Sequence, residues 1–149
     1  MFKWSQEYSK EVNSPIEKMW DFLLALNHWT LWLDEFESFQ SKGEFKKGCV
    51  VIGKPKKYNF EIPITITEIN PFQECSTLVK SPFLFSQKAS YLLHKISDNK
   101  TRATLKMSAK GILTPFFSSS FHKKSSIQFE KCWAAFLKKE ECNAYETNV

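Results

Sequence analysis

Residues 11–23 read EVNSPIEKMWDFL, and the change of period inside this stretch decides the fold class. Upstream of it, residues 3–12 (KWSQEYSKEV) roughly alternate, with the two-residue period of a strand. The pattern breaks at Asn13-Ser14-Pro15-Ile16-Glu17. Ser14 suits a helix N-cap, Pro15 the first helical position, and Glu17 the return partner of a capping box. Ile16, Met19, Trp20, Leu23 and Leu26 then recur at helical spacing, which predicts an amphipathic helix over 15–26. Asn27 can cap a second short helix carrying Trp29, Trp32 and Leu33.

Beyond residue 35 the two-residue period returns. Segments 35–41, 48–54, 58–69, 73–80, 84–97 and 101–111 are short and rich in β-branched and aromatic residues. Turn chemistry separates them: Lys42-Gly43 to Gly48, Lys54-Pro55-Lys56-Lys57, Asn70-Pro71, Ser81-Pro82 and Asp98-Asn99-Lys100. Phe60, Ile62, Ile64 and Ile66 alternate with Glu61, Pro63, Thr65 and Thr67, and Ala103, Leu105, Met107 and Ala109 alternate with Thr104, Lys106, Ser108 and Lys110. One face is therefore buried and one is wet, and the short connections demand antiparallel hairpins.

Thr114-Pro115 opens the last element, a helix expected over 115–140. Phe129, Cys132, Trp133, Phe136 and Leu137 keep the spacing of a continuous apolar stripe. Projected back toward residue 115, the same stripe meets Ser125, Ser126, Phe121, His122 and Ser118. Small and polar residues then face the sheet where large aliphatic ones would be needed to fill space. Under-filling one end of a sheet–helix sandwich leaves room for a ligand. A serine run in solvent is the competing reading of the same residues.

Length and composition agree with this outline. A chain of 149 residues, 42% of them hydrophobic, suits one core, and the domain is read as residues 1–142 with a frayed tail over 143–149. Its 14 Phe, 5 Trp and 4 Tyr imply a bulky interior or a bulky guest. The net charge of +5 includes a single arginine, Arg102, which argues against nucleic acid as a partner. Cys49, Cys75, Cys132 and Cys142 have no metal-type spacing, so neither a metal nor a cofactor is expected. The first residues lack an apolar signal region, and the expectation is a reduced, cytoplasmic protein.

The order strand, two helices, six strands and long C-terminal helix resembles the START-like (SRPBCC) superfamily. The resemblance rests on Glu11 to Leu23, on Trp29-Thr30-Leu31-Trp32, on Gly43-Glu44-Phe45-Lys46-Lys47-Gly48, on Thr67-Glu68-Ile69-Asn70-Pro71, and on the ending Phe136-Leu137-Lys138-Lys139-Glu140. The chain departs from the family at Lys100, where a glycine usually precedes the threonine of the last hairpin. The resemblance implies an α+β helix-grip fold, a curved antiparallel sheet of about seven strands around the long helix. It also implies a cavity for apolar molecules such as lipids and polyketides, and some members are enzymes.

The residues expected around that cavity are Trp29, Trp32, Phe60, Ile62, Tyr91, His94, Leu105, Met107, Phe117, Phe121, His122 and Ser125. His94 and His122 are the candidate acid–base groups, and Tyr91 could offer its hydroxyl to a ligand carbonyl. Strand 84–97 is apolar on both phases, so its inward face stays undecided. Lys46, Lys47, Lys54, Lys56 and Lys57, with Phe45 and Tyr58, fall in two neighbouring turns. They suggest either weak contact with an anionic membrane or charged hairpin tips that keep the sheet soluble. Binding or transport of an apolar small molecule fits best, with cyclase/dehydratase-type chemistry as the alternative; a protein-interaction module would need an exposed apolar patch in place of a deep pocket. No oligomeric state follows from the sequence.

Overall fold

The change of period seen at residue 13 is a strand turning into a helix. In a computed structural model of the chain, β1 (Lys3–Val12) leads into α1 (Ile16–Leu24) and a 3₁₀ helix (Leu26–Leu31). Six strands follow: β2 (Phe36–Lys42), β3 (Val50–Pro55), β4 (Ile62–Asn70), β5 (Glu74–Ser81), β6 (Phe85–Ser97) and β7 (Lys100–Lys110). The chain ends in α2 (Thr114–Thr147). The structure describes residues 3–81, 85–111 and 114–147, with side chains described at 3–80, 85–111 and 123–143.

The seven strands form one antiparallel sheet in the order β1-β7-β6-β5-β4-β3-β2. Strands β2 to β7 are successive hairpins, and β1 closes onto β7, with Tyr8 opposite Leu105. The antiparallel sheet is the one the alternation pointed to, and the α+β helix-grip architecture is the one the resemblance implied. Along β7, Ala103, Leu105, Met107 and Ala109 are buried, while Arg102, Lys106 and Lys110 are exposed.

α2 lies across the buried face. At ~1.5 Å per residue its 34 residues span roughly 50 Å. Ser125, Phe129, Cys132, Trp133 and Phe136 form its buried stripe. Phe129 stacks on Tyr8 with ring centroids 6.0 Å apart, and Phe136 meets Phe22 edge-on at 5.3 Å. Leu137 was expected in the stripe but is 39% exposed, because it sits at the stripe's flank, about 100° around the helix from Phe136. The helix also continues past residue 142 through Thr147, where a frayed tail was expected. Among the described residues, no helix is long and apolar enough to cross a membrane.

Local details depart from expectation in three places. The capping box does not form: Pro15 itself stands at the N-cap without a side-chain cap, and its carbonyl accepts from the Met19 N–H at 3.4 Å. Ser14 is instead buried, and its carbonyl accepts the Thr101 hydroxyl at 2.9 Å. β4 begins at Ile62 rather than 58, because pairing with β3 ends at Gly53–Ile62 and residues 56–61 form the turn. Finally, the lysines of the two turns do not form one cluster. Consecutive turns of a meander alternate between the ends of a sheet, so Lys46 and Lys47 lie at the opposite end of β3 from Lys56 and Lys57.

Candidate functional site

Strand alternation gives β5 and β6 an inward phase of small and medium side chains. Cys75, Thr77 and Val79 on β5 stand beside Gln87, Ala89 and Tyr91 on β6. Above them the stripe of α2 dwindles from Phe129 to the small Ser125, which is 2% exposed. Among the described residues no large side chain fills this space, and a cavity of about 260 Å³ remains. Met107 and Ile64 extend its floor, Phe36 and Phe39 one wall, and Trp29 and Trp32 the inner end of its roof.

The lining is mostly apolar, with a few placed polar groups. Trp32 Nε1–H donates to the Tyr91 hydroxyl oxygen at 3.2 Å. The Tyr91 proton has no acceptor among the described residues, which leaves it free to point at a guest. Burial pushes the Tyr91 hydroxyl far above its ordinary range, so it stays a neutral donor. Burial likewise pushes the Cys75 thiol up to about 12, with Cys49 and Glu74 adding to the shift, so it is no thiolate at neutral pH. At the mouth, Glu35 pairs with Lys124 at 3.3 Å, and Lys131, two turns further along α2, pairs with Asp34. These two pairs tie the segment before β2 to the helix. The Lys131 ammonium beside Asp34 holds its carboxyl below the usual range.

No protein-family model and no curated protein matches the chain. Solved structures do. The Zhui aromatase/cyclase of a Streptomyces species superposes with a TM-score of 0.73 at 9% identity, over 93% of this chain and 97% of that one. Norcoclaurine synthase from Thalictrum flavum, solved with dopamine and hydroxybenzaldehyde, gives 0.66 at 9% identity, over 92% and 88%. A protein of unknown function from Staphylococcus aureus gives 0.77 at 8% identity, over 94% and 97%. This chain has the START-like helix-grip fold.

Of the residues expected around the helix-grip cavity, Trp29, Trp32, Tyr91, Met107 and Ser125 line it. Ile62 shares the inward phase but packs against the core beside the cavity without lining it, since its neighbour Ile64 takes that place. Leu105 is 1% exposed and belongs to the solid core. Phe60 stands in the β3–β4 turn, 56% exposed and stacked on Tyr58. His94 points to the outer face of the sheet, because Tyr91 and Leu93 take the inward phase of β6. The side chains of Phe117, Phe121 and His122 lie outside the described residues. The expectation missed Gln87, Gln128, Glu35 and Lys124, which supply the remaining polarity. Register could have found Gln87. The unambiguous inward phase of β7 sets Tyr91 opposite Leu105, Ala89 opposite Met107 and Gln87 opposite Ala109.

One wall of the helix-grip cavity depends on an absent side chain. A Cβ on Gly53 would lie 2.8 Å from Phe36 Cε1 and 3.2 Å from Phe39 Cε1. The two rings, 4.8 Å apart, lie over the bare backbone of β3 and form that wall. Gly53→Val therefore costs about 1–3 kcal/mol by overpacking and drives the rings inward. Urea denaturation measures this, and a loss under about 0.5 kcal/mol, within the noise of surface changes, refutes the close-approach role.

Proposed function

We propose that the chain binds and carries a small apolar molecule of one or two rings with one hydrogen-bond acceptor. The observation that carries this reading is the Tyr91 hydroxyl, which Trp32 fixes on the wall of a mostly apolar cavity. At about 260 Å³ the cavity falls below the roughly 300–1,000 Å³ of drug-sized sites. The dopamine and hydroxybenzaldehyde held by norcoclaurine synthase, a protein of like fold, are molecules of this size class. The likeness to the Zhui aromatase/cyclase supports a second reading, cyclase-type chemistry in the same space. Carriage is preferred because Tyr91 and Cys75, the titratable groups within the cavity among the described residues, both keep their protons at neutral pH. Glu35 and Lys124 stand at the mouth, paired with each other.

Native mass spectrometry of the purified chain should show a co-purified molecule. Trp29 and Trp32 line the site, so quenching of tryptophan emission reports a titration with aromatic aldehydes and ketones. Tyr91→Phe should weaken the best of these about tenfold, the loss of roughly 1–3 kcal/mol that a buried unpaired acceptor incurs. Unchanged affinity in Tyr91→Phe removes the anchor. The absence of both a co-purified molecule and any saturable titration removes the carrier reading, and turnover of the bound molecule favours the enzyme.

A further inference from the structure

The antiparallel order places the cavity mouth, the β3–β4 turn, the start of β1 and the end of β7 at one end of the sheet. The positive charge at this end is arranged unlike that at the other. On the outer face, Lys3 pairs directly with Lys110, Lys110 with Ser86, and Ser86 with Lys80, so three lysines share one row across four strands. Neighbouring strands are about 4.8 Å apart, and like charges set opposite one another destabilise a sheet. Lys56 and Lys57 add to the row from the β3–β4 turn. None of these five lysines forms a salt bridge among the described residues; Lys56 acts only through space on the Asp34 carboxyl, which Lys131 already pairs. At the far end, by contrast, Lys18 pairs with Glu140, Lys47 with Glu68, and both Lys100 and Arg102 with Glu11. The acids near the mouth are largely spoken for: Asp34 by Lys131, Glu35 by Lys124, Glu37 by Lys54, which leaves Glu61.

Beside Lys56 and Lys57, in the same turn, stand two aromatic rings. Tyr58 and Phe60 are 59% and 56% exposed, and they stack on each other at 5.2 Å with planes 24° apart. A pair of rings held out in water beside lysines buries little of its apolar surface in the folded monomer. It matches the level of lipid headgroups, where aromatic residues settle with their polar tips wet and cations meet anionic lipid. Nucleic acid would meet lysines without arginine, since Arg102 lies at the far end and is bound to Glu11.

We propose that the mouth end of the chain docks on the surface of an anionic phospholipid bilayer, with Tyr58 and Phe60 seated among the headgroups and the unpaired lysines above them. The cavity mouth then faces the membrane, a store of apolar molecules, without a passage through water. Docking depends on surface residues and not on cavity occupancy. Its test is therefore independent of the ligand titration, and either can fail alone.

The test is flotation of the full chain with vesicles of phosphatidylcholine alone and with about 30% phosphatidylserine, at low and high salt. Binding should need phosphatidylserine and low salt. Lys56→Gln with Lys57→Gln should weaken it about 30-fold, from about 1 kcal/mol per lysine. Tyr58→Ser with Phe60→Ser should weaken it about tenfold by the loss of apolar burial. Lys46→Gln with Lys47→Gln, at the other end, should leave it within about twofold, the scale of a surface charge far from the contact. Circular dichroism confirms that each variant is folded. No binding to the anionic vesicles, or equal loss in the far-end variant, overturns the proposal. Tighter binding to a fluorescent oligonucleotide than to the vesicles also overturns it and assigns the face to nucleic acid.

Discussion

Trp133→Ala lowers the stability of the fold by about 3–5 kcal/mol, the cost of removing a fully buried large ring from a core that cannot collapse around the gap. Trp133 is 1% exposed on α2 and meets Phe136 edge-on with centroids 6.0 Å apart. Phe136 in turn contacts Phe22 of α1, so one ring joins the long helix to the N-terminal one. A domain of this size has roughly 5–15 kcal/mol in total, so the variant stands near the edge of folding. Leu137→Ala, one residue further on, is the matched control. Its side chain is 39% exposed, and the change should cost less than about 1 kcal/mol. Urea denaturation of both variants measures the contrast. Equal losses would mean that α2 presents a different face to the sheet, and the cavity beneath Ser125 would lose its roof.

That contrast also shows where the sequence was legible. The spacing of Phe129, Cys132, Trp133 and Phe136 identified the helix and its buried face, because a stripe needs only periodicity. Leu137 was misplaced because apolarity alone does not tell a stripe's centre from its flank. The strands were legible for the same reason, and β7 was the clearest, since each second residue is buried along its length. β6 was not, because Leu92, His94 and Ile96 are apolar or aromatic on the outer phase while Tyr91 and Leu93 take the inner one. Only register against β7 resolves it, and register is a property of two strands together. The same limit explains the lysines. Two turns adjacent in sequence looked adjacent in space, yet a meander puts them at opposite ends. Ser14 failed as a cap because its environment is tertiary: Thr101 of β7 binds its carbonyl. Of the site, the aromatic roof and Ser125 could be read from patterns. The Glu35–Lys124 pair could not, since its partners are far apart in sequence.

Ala89→Phe should abolish ligand binding, a loss of at least about 100-fold, while leaving the fold as stable as before or firmer by up to roughly 2 kcal/mol. The two effects have one cause. Ala89 lines the cavity between Thr77 and Met107, its partners across β5 and β7, and its methyl group leaves the space above it empty. A phenyl ring there occupies the volume that a guest would need and gains contacts with Trp32 and Tyr91 that the empty space withholds. The sign of the stability change is the discriminating quantity. In a solidly packed interior the same substitution forces neighbours off their rotamers and costs about 1–3 kcal/mol. Denaturant midpoints and tryptophan titrations on the same preparation give both numbers. A stable variant without binding places the guest in this cavity. A stable variant that still binds places the guest elsewhere on the chain, and a destabilised one shows the space beside Ser125 to be filled.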